Sequence, residues 1–166
     1  MGIEPTRTGY RPSPVLKTGA PTRNAYASVR QPRAMARRRP TPVRPCPCGR
    51  ALYPDCCGPL LAGQAQAETA IRLMRSRYTA FALGDEQYLL SSWHGSTRPV
   101  RVPLEPDREW LRLEVLATQG GGLLEPEGRV EFRAYSRRAG AIFVLHEHSR
   151  FVREGGLWRY LGNVAG

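Results

Sequence analysis

Long apolar runs are missing from this chain. No stretch reaches about eighteen apolar residues, so no segment reads as a membrane-spanning helix. Residues 1–34 lack the apolar core of a secretory signal, so an oxidising compartment is not indicated and a cytoplasmic location is expected. Lysine is nearly absent, with Lys17 standing alone beside 24 arginines, the usage of a GC-rich genome. No internal repeat is visible. Cysteine is absent except between positions 46 and 57.

The formal charge of +11 over 166 residues is unevenly placed. Residues 1–50 hold eleven basic residues and one acidic residue, a net of +10, together with nine of the fifteen prolines. Residues 51–166 hold fourteen basic and thirteen acidic residues, a net of +1. The basicity therefore belongs to a leader, residues 1–45, which is too poor in apolar side chains to offset chain entropy and is expected to be disordered. Its arginines from Arg37 to Arg44 could meet phosphates, so nucleic acid is a possible partner through the leader alone. No aromatic or groove-reading pattern accompanies them. Met35 offers a second start, and residues 1–34 are expected to be a mis-annotated extension. An intact mass of the endogenous protein beginning at Met1 or Gly2 would refute that expectation.

All four cysteines lie in Cys46-Pro-Cys48-Gly-Arg-Ala-Leu-Tyr-Pro-Asp-Cys56-Cys57. Two tight pairs separated by a short return suit one tetrahedral ion, and zinc is the default for thiolates. Two disulfides are the alternative, but vicinal Cys56–Cys57 and near-vicinal Cys46–Cys48 bridges are strained. A redox pair would more typically be Cys-x-x-Cys. One structural Zn2+ per chain is expected, because four thiolates leave no open coordination position.

Downstream, apolar spacing predicts a helix from about Ala67 to Leu83, with Ile71, Met74, Tyr78, Phe81 and Ala82 on one face and Arg72, Ser76 and Thr79 on the other. Gly84 ends it, and Asp85 caps a second helix from Glu86 to about Trp93. After Pro106 the period becomes two. Strands are predicted at Trp110–Leu116, with Leu111, Leu113 and Val115 on one face, and at Arg129–Tyr135, Ala141–Arg153 and Leu157–Leu161. Ser136 to Gly140 closes one hairpin and Glu154-Gly155-Gly156 another. Helices followed by antiparallel strands argue an α+β fold, with the helices on one face of a curved sheet.

The third strand carries the most chemistry. Phe143, Leu145, Glu147, Ser149 and Phe151 share one face, and Val144, His146, His148 and Arg150 the other. If the first face meets the helices, Glu147 is a carboxylate among apolar neighbours and needs a partner, which Arg75 could supply. His146 and His148 are spaced like two metal ligands. With no further ligand near in sequence, they are read as exposed or pairing histidines.

The stretch Cys46-Pro-Cys-Gly … Asp55-Cys-Cys-Gly58-Pro resembles the SEC-C motif, a short zinc-binding module. Leu73-Met-Arg-Ser-Arg-Tyr-Thr-Ala-Phe81, Tyr88-Leu-Leu-Ser-Ser-Trp-His94, His146-Glu-His-Ser-Arg-Phe151 and Trp158-Arg-Tyr160 resemble the YchJ family of uncharacterised bacterial proteins. The resemblance implies a SEC-C zinc module at 46–60, with Cys46, Cys48, Cys56 and Cys57 as ligands. At 65–162 it implies a domain like nuclear transport factor 2, a cone of curved antiparallel sheet around helices. Some members carry a second such motif after the domain, but no cysteine follows Cys57 here.

Two classes of function follow. A zinc-stabilised binding or interaction protein would take a protein partner. An enzyme would use the cone pocket, with Glu147 and His94 as acid and base and with Arg75 and Tyr78 orienting a substrate. Glu147 and His94 facing one open cavity would favour the enzyme. A cone filled by Trp93, Phe143, Phe151 and Trp158 would not. Because the cysteines look appended to the sheet, replacing Cys46 or Cys57 by Ser is expected to loosen 46–60 and leave the body folded.

Overall fold

The computed structural model of the protein describes residues 44–164. The leader up to residue 43, the choice between Met1 and Met35, and the arginines at 37–39 lie outside the described residues.

The cysteine segment opens as a tight loop. Pro45 bridges to Leu52, and the Cys46 N–H donates to the Ala51 carbonyl at 2.8 Å. Gly49 turns the chain at φ 75°, a conformation that a side chain would disfavour. A 3-10 turn at Tyr53–Asp55 leads into the short helix α1, Gly58–Leu61.

Helix α2 spans Ala70–Leu83. The Thr69 hydroxyl caps it by accepting from the Arg72 N–H at 3.3 Å, and Gly84 closes it at φ 73°. Asp85 then caps α3, Glu86–Ser91, accepting from the Tyr88 N–H at 2.9 Å. Both expected helices are present, the second ending two residues early. Ser76 and Thr79, expected on the outer face of α2, are fully buried. Ser76 shares a 2.6 Å hydrogen bond with the Tyr88 hydroxyl, and Thr79 touches the Cys46 sulfur at 3.6 Å. The cysteine module and α3 therefore cover the flank that periodicity had left to solvent.

Four antiparallel strands form one sheet in the order β1 (Glu109–Gly120), β2 (Glu127–Arg138), β3 (Ala141–Glu154) and β4 (Leu157–Asn163). The first hairpin turn is shorter than predicted. Arg138 pairs with Ala141, so Ala139 and Gly140 alone turn the chain, both at positive φ. Register shifts in β1 fall between Trp110 and Arg112 and between Val115 and Ala117. The first of these corrects the predicted face of β1: Leu111 is turned outward, and Trp110, Leu113 and Val115 pack on the core. Along β2, Val130, Phe132 and Ala134 alternate inward as expected. The start of α2 lies close against one end of the sheet. The Ala70 N–H donates to the Gly121 carbonyl, and a Cβ on Gly128 would fall 2.5 Å from the Gly121 Cα.

The principal core joins all four cysteines to Ala70, Leu73, Met74 and Tyr78 of α2 and to Val130, Phe132, Phe151 and Trp158 of the sheet. The module is therefore built into the core. This overturns its reading as an appendage, because its buried sulfurs are part of what α2 packs against.

Candidate functional site: a cysteine cluster and a cone cavity

Two features carry chemistry, and α2 lies between them. The first is the sulfur cluster. Cys48 lies 3.5 Å from Cys56 and 3.7 Å from Cys57, and Cys56 lies 3.9 Å from Cys57. All four sulfurs fall within 4.8 Å of one another, each on a buried residue. A tetrahedron with metal–sulfur bonds of about 2.3 Å has edges of about 3.8 Å, so the donor set fits a single tetrahedral ion. With protons on the sulfurs, Cys48 is held down to about 4, chiefly because the Cys57 thiol donates to it. Burial pushes Cys56 up to about 11, and donation to Cys48 pushes Cys57 up. Buried thiols this close cannot all ionise unless a cation compensates them.

Arg75 belongs to this cluster. Its Nη1 donates to the Cys48 carbonyl at 3.1 Å. The expected pairing of Arg75 with Glu147 does not form, because α2 turns Arg75 toward the module and away from the sheet.

The second feature is a cavity of about 240 Å³ between α2 and the concave face of the sheet. Met74 and Phe81 of α2 with Trp110, Phe132 and Phe151 of the sheet give it mainly apolar walls. Glu147 enters from β3. Its Oε1 accepts from the Ser149 hydroxyl and from the Tyr160 hydroxyl, the latter at 2.9 Å. Both bonds land on one oxygen, which leaves Oε2 for another donor. Burial, followed by the adjacent Glu147 charge, pushes the Tyr160 phenol up, so it stays a donor.

The cation in this cavity is Arg77. It is 5% exposed, and its Nη1 donates to the Leu89 carbonyl at 2.8 Å and to the Ser92 hydroxyl at 2.7 Å. Its guanidinium carbon sits 4.7 Å from the Trp93 ring centroid and 4.3 Å from that of Tyr160. Burial lowers it to about 10, which leaves it charged at neutral pH. The sequence carried the signal for Arg77: it lies three residues after Met74 and four after Leu73, on their face of the helix.

Tyr78 also lines the cavity, as a candidate residue should. Its hydroxyl is buried with no hydrogen-bond partner among the described residues, and burial pushes it up to about 12. His94 is not brought to Glu147. It lies beyond the end of α3, where its Nδ1 bonds the Ser96 hydroxyl and its Nε2 lies 3.7 Å from Glu154. The reason is a long-range pairing: the His94 N–H donates to the Tyr160 carbonyl at 2.8 Å and holds its backbone against β4. The cone is not filled, and of Glu147 and His94 only Glu147 faces it. Trp93 and Phe151 line the cavity, Trp158 is buried elsewhere, and Phe143 is half-exposed.

Comparison with known proteins decides the family. Residues 69–163 match the domain described as "YchJ, middle NTF2-like domain". The chain belongs to the YchJ family. A YchJ-family relative, the UPF0225 protein SCO1677 of Streptomyces coelicolor, is 52% identical over 120 residues, covering 72% of this chain and 94% of its own. A UPF0225 protein of Chromobacterium violaceum is 46% identical over 123 residues, covering 72% of this chain and 91% of its own. The solution structure of RPA3114, a SEC-C motif-containing protein of Rhodopseudomonas palustris, superposes with a TM-score of 0.65 at 34% identity, over 74% of this chain and 99% of that one. A crystal structure of a SEC-C motif-containing protein of Psychrobacter arcticus gives 0.61 at 28% identity, over 72% of this chain and 81% of that one. The chain thus shares its α+β fold, a SEC-C module ahead of a curved antiparallel sheet, with these solved SEC-C motif-containing proteins. Among the described residues no helix is long and apolar enough to cross a membrane.

Proposed function

We propose that the chain is a zinc-stabilised binding protein whose cone cavity takes a small, mostly apolar molecule bearing an N–H or O–H donor. One observation carries this reading: an aromatic-walled cavity holds a half-satisfied carboxylate, Glu147. Mostly apolar walls with a few convergent polar groups are what small-molecule sites share. A ligand donor would meet Glu147 Oε2, and the aromatic rings, that of Tyr78 among them, would pack on its apolar part. Arg77 balances the carboxylate charge. Binding is favoured over the expected acid–base pair because His94 stands outside the cavity, and burial pushes up the phenols of Tyr160, which bonds Glu147, and Tyr78.

The ion of the SEC-C module is zinc and its role is structural. Cys46, Cys48, Cys56 and Cys57 would hold it and leave no coordination position for a ligand. A thiolate site of this kind suits a reducing compartment, in keeping with a cytoplasmic location.

The test is a ligand-observed screen of the full chain against small aromatic and heterocyclic molecules, followed by Trp fluorescence. Hits should lose affinity by about tenfold in Glu147→Gln, one charge-assisted hydrogen bond. They should vanish in Ala134→Leu, which narrows the cavity from β2. Binding unchanged in both variants, or no binder at millimolar concentration, would remove this reading.

A protein partner is the second reading. It is supported by Ile142, Phe143, Val144 and Leu145, which are about half-exposed at the start of β3, where Leu145 also lines the cavity mouth. Replacing Ile142 and Phe143 by Ser should then abolish a complex recovered with the native chain while small-molecule binding persists.

A further inference from the structure

The outer face of the sheet assembles a group that neither the cysteine module nor the cavity uses. His146 and His148 stand two residues apart on β3, so both side chains leave the same face. In the register of the β2–β3 ladder, Glu131 lies directly opposite His148, and Arg133 opposite His146. Glu131 therefore reaches both rings. Its Oε1 is 2.8 Å from His146 Nε2 and 3.5 Å from His148 Nε2. One ligand atom from each of the three side chains lies within 4.8 Å of the others. No sequence-local pattern shows this, because the carboxylate comes from the neighbouring strand.

We propose that Glu131, His146 and His148 form a second metal site, open to solvent and selective for a divalent cation of the zinc, nickel and copper class. Two imidazoles with one carboxylate are the donor set of such ions and not of magnesium or calcium. Bonds of about 2.0–2.2 Å in tetrahedral geometry need donors about 3.4 Å apart. His148 already meets that spacing, and His146 must withdraw by about half an ångström, which its exposed ring allows. The backbone beneath is held on both sides: Glu131 and His148 are paired in the ladder, and the Val164 N–H donates to the His148 carbonyl at 2.7 Å. A site on paired strands is preorganised to this extent without further support.

Three protein ligands leave coordination positions for water or a small anion. Glu131 and His148 also line a groove of about 260 Å³ that includes Arg129. Arg129 and Arg133 share the Glu131 face of β2 and oppose a cation there. The site is consequently much weaker than the thiolate site, and its metal exchanges.

The experiment is a calorimetric zinc titration of the full chain already carrying its thiolate-bound ion, followed in parallel by the histidine ring resonances. The expected result is one further equivalent, with the His146 and His148 signals shifting and those of His94 unmoved. That equivalent should disappear in the double variant His146→Ala, His148→Ala and weaken at least about tenfold in Glu131→Gln. His146 and His148 are exposed and Glu131 is partly so, so the melting temperature of each variant should stay close to that of the native chain and show that folding is intact. No further equivalent at millimolar zinc, or one that survives in the double variant, overturns the site. Neither result bears on the cavity ligand, which lies on the opposite face of the sheet.

Discussion

Tyr78 shows most directly how one side chain divides stability from function. Its hydroxyl is buried without a partner, and a phenol left in that state costs about 1–3 kcal/mol. Tyr78→Phe should therefore raise the stability of the unliganded protein by up to about that amount, read as a shift of the urea midpoint at constant slope. The same change should leave binding in the cavity nearly unchanged, because the ring lines it and the hydroxyl presents no surface to it. A loss of stability would mean that the hydroxyl has a hidden partner. Arg77 is the opposite case, since its cation is buried but donates to the Leu89 carbonyl and the Ser92 hydroxyl between two rings. Arg75, only half a turn away, spends its charge on the cysteine module. Two residues along a helix reverse the side a residue faces, so two arginines in one short motif serve different sites.

At the scale of elements, the hairpins are built to their geometry with one exception. The turn between β3 and β4 uses Gly155 and Gly156, at φ 58° and 81°. The turn between β2 and β3 uses Ala139 and Gly140, and Ala139 is held at φ 47°. An alanine there meets the steric cost of the left-handed region, about 1 kcal/mol. Ala139→Asn should thus stabilise the protein by about 0.5–1 kcal/mol, visible as a higher melting temperature with unchanged ligand and metal binding. An unchanged or lower melting temperature would show that the turn relaxes in solution. The element pattern was largely legible, because α2, α3 and the alternation of β2 follow from spacing alone. Leu111 was not, because a register shift after Trp110 moves the inward face by one residue. Ser76 and Thr79 were not either, because α3 covers Ser76 through Tyr88 and the cysteine module covers Thr79 through Cys46, 33 residues away in the chain.

For the whole molecule, the position of the sulfur cluster changes what metal loss should do. The four cysteines share one core with α2 and with Phe151 and Trp158 of the sheet. An ion bound only in the folded state stabilises everything that unfolds with its site. Removing the metal with a chelator should lower a single cooperative transition, with Trp fluorescence and far-ultraviolet dichroism moving together. Cys57→Ser should do the same. A sheet that melts at the native temperature while residues 46–60 loosen would restore the picture of an appended module.

The sequence by itself determined the four-cysteine cluster, the order of helices and strands, the inward face of β2 and the split of β3 into two faces, one of them carrying Glu147. These are short-range properties: ligand spacing, capping residues, and periods of 3.6 and two. The tertiary structure decided which groups meet. It turned Arg77 and not Arg75 toward Glu147, left His94 outside, and brought Glu131 to His146 and His148 across a strand pair. Such meetings depend on strand register and on how α2 is rotated against the sheet. Packing over the whole core sets both, and no local stretch of the chain encodes either.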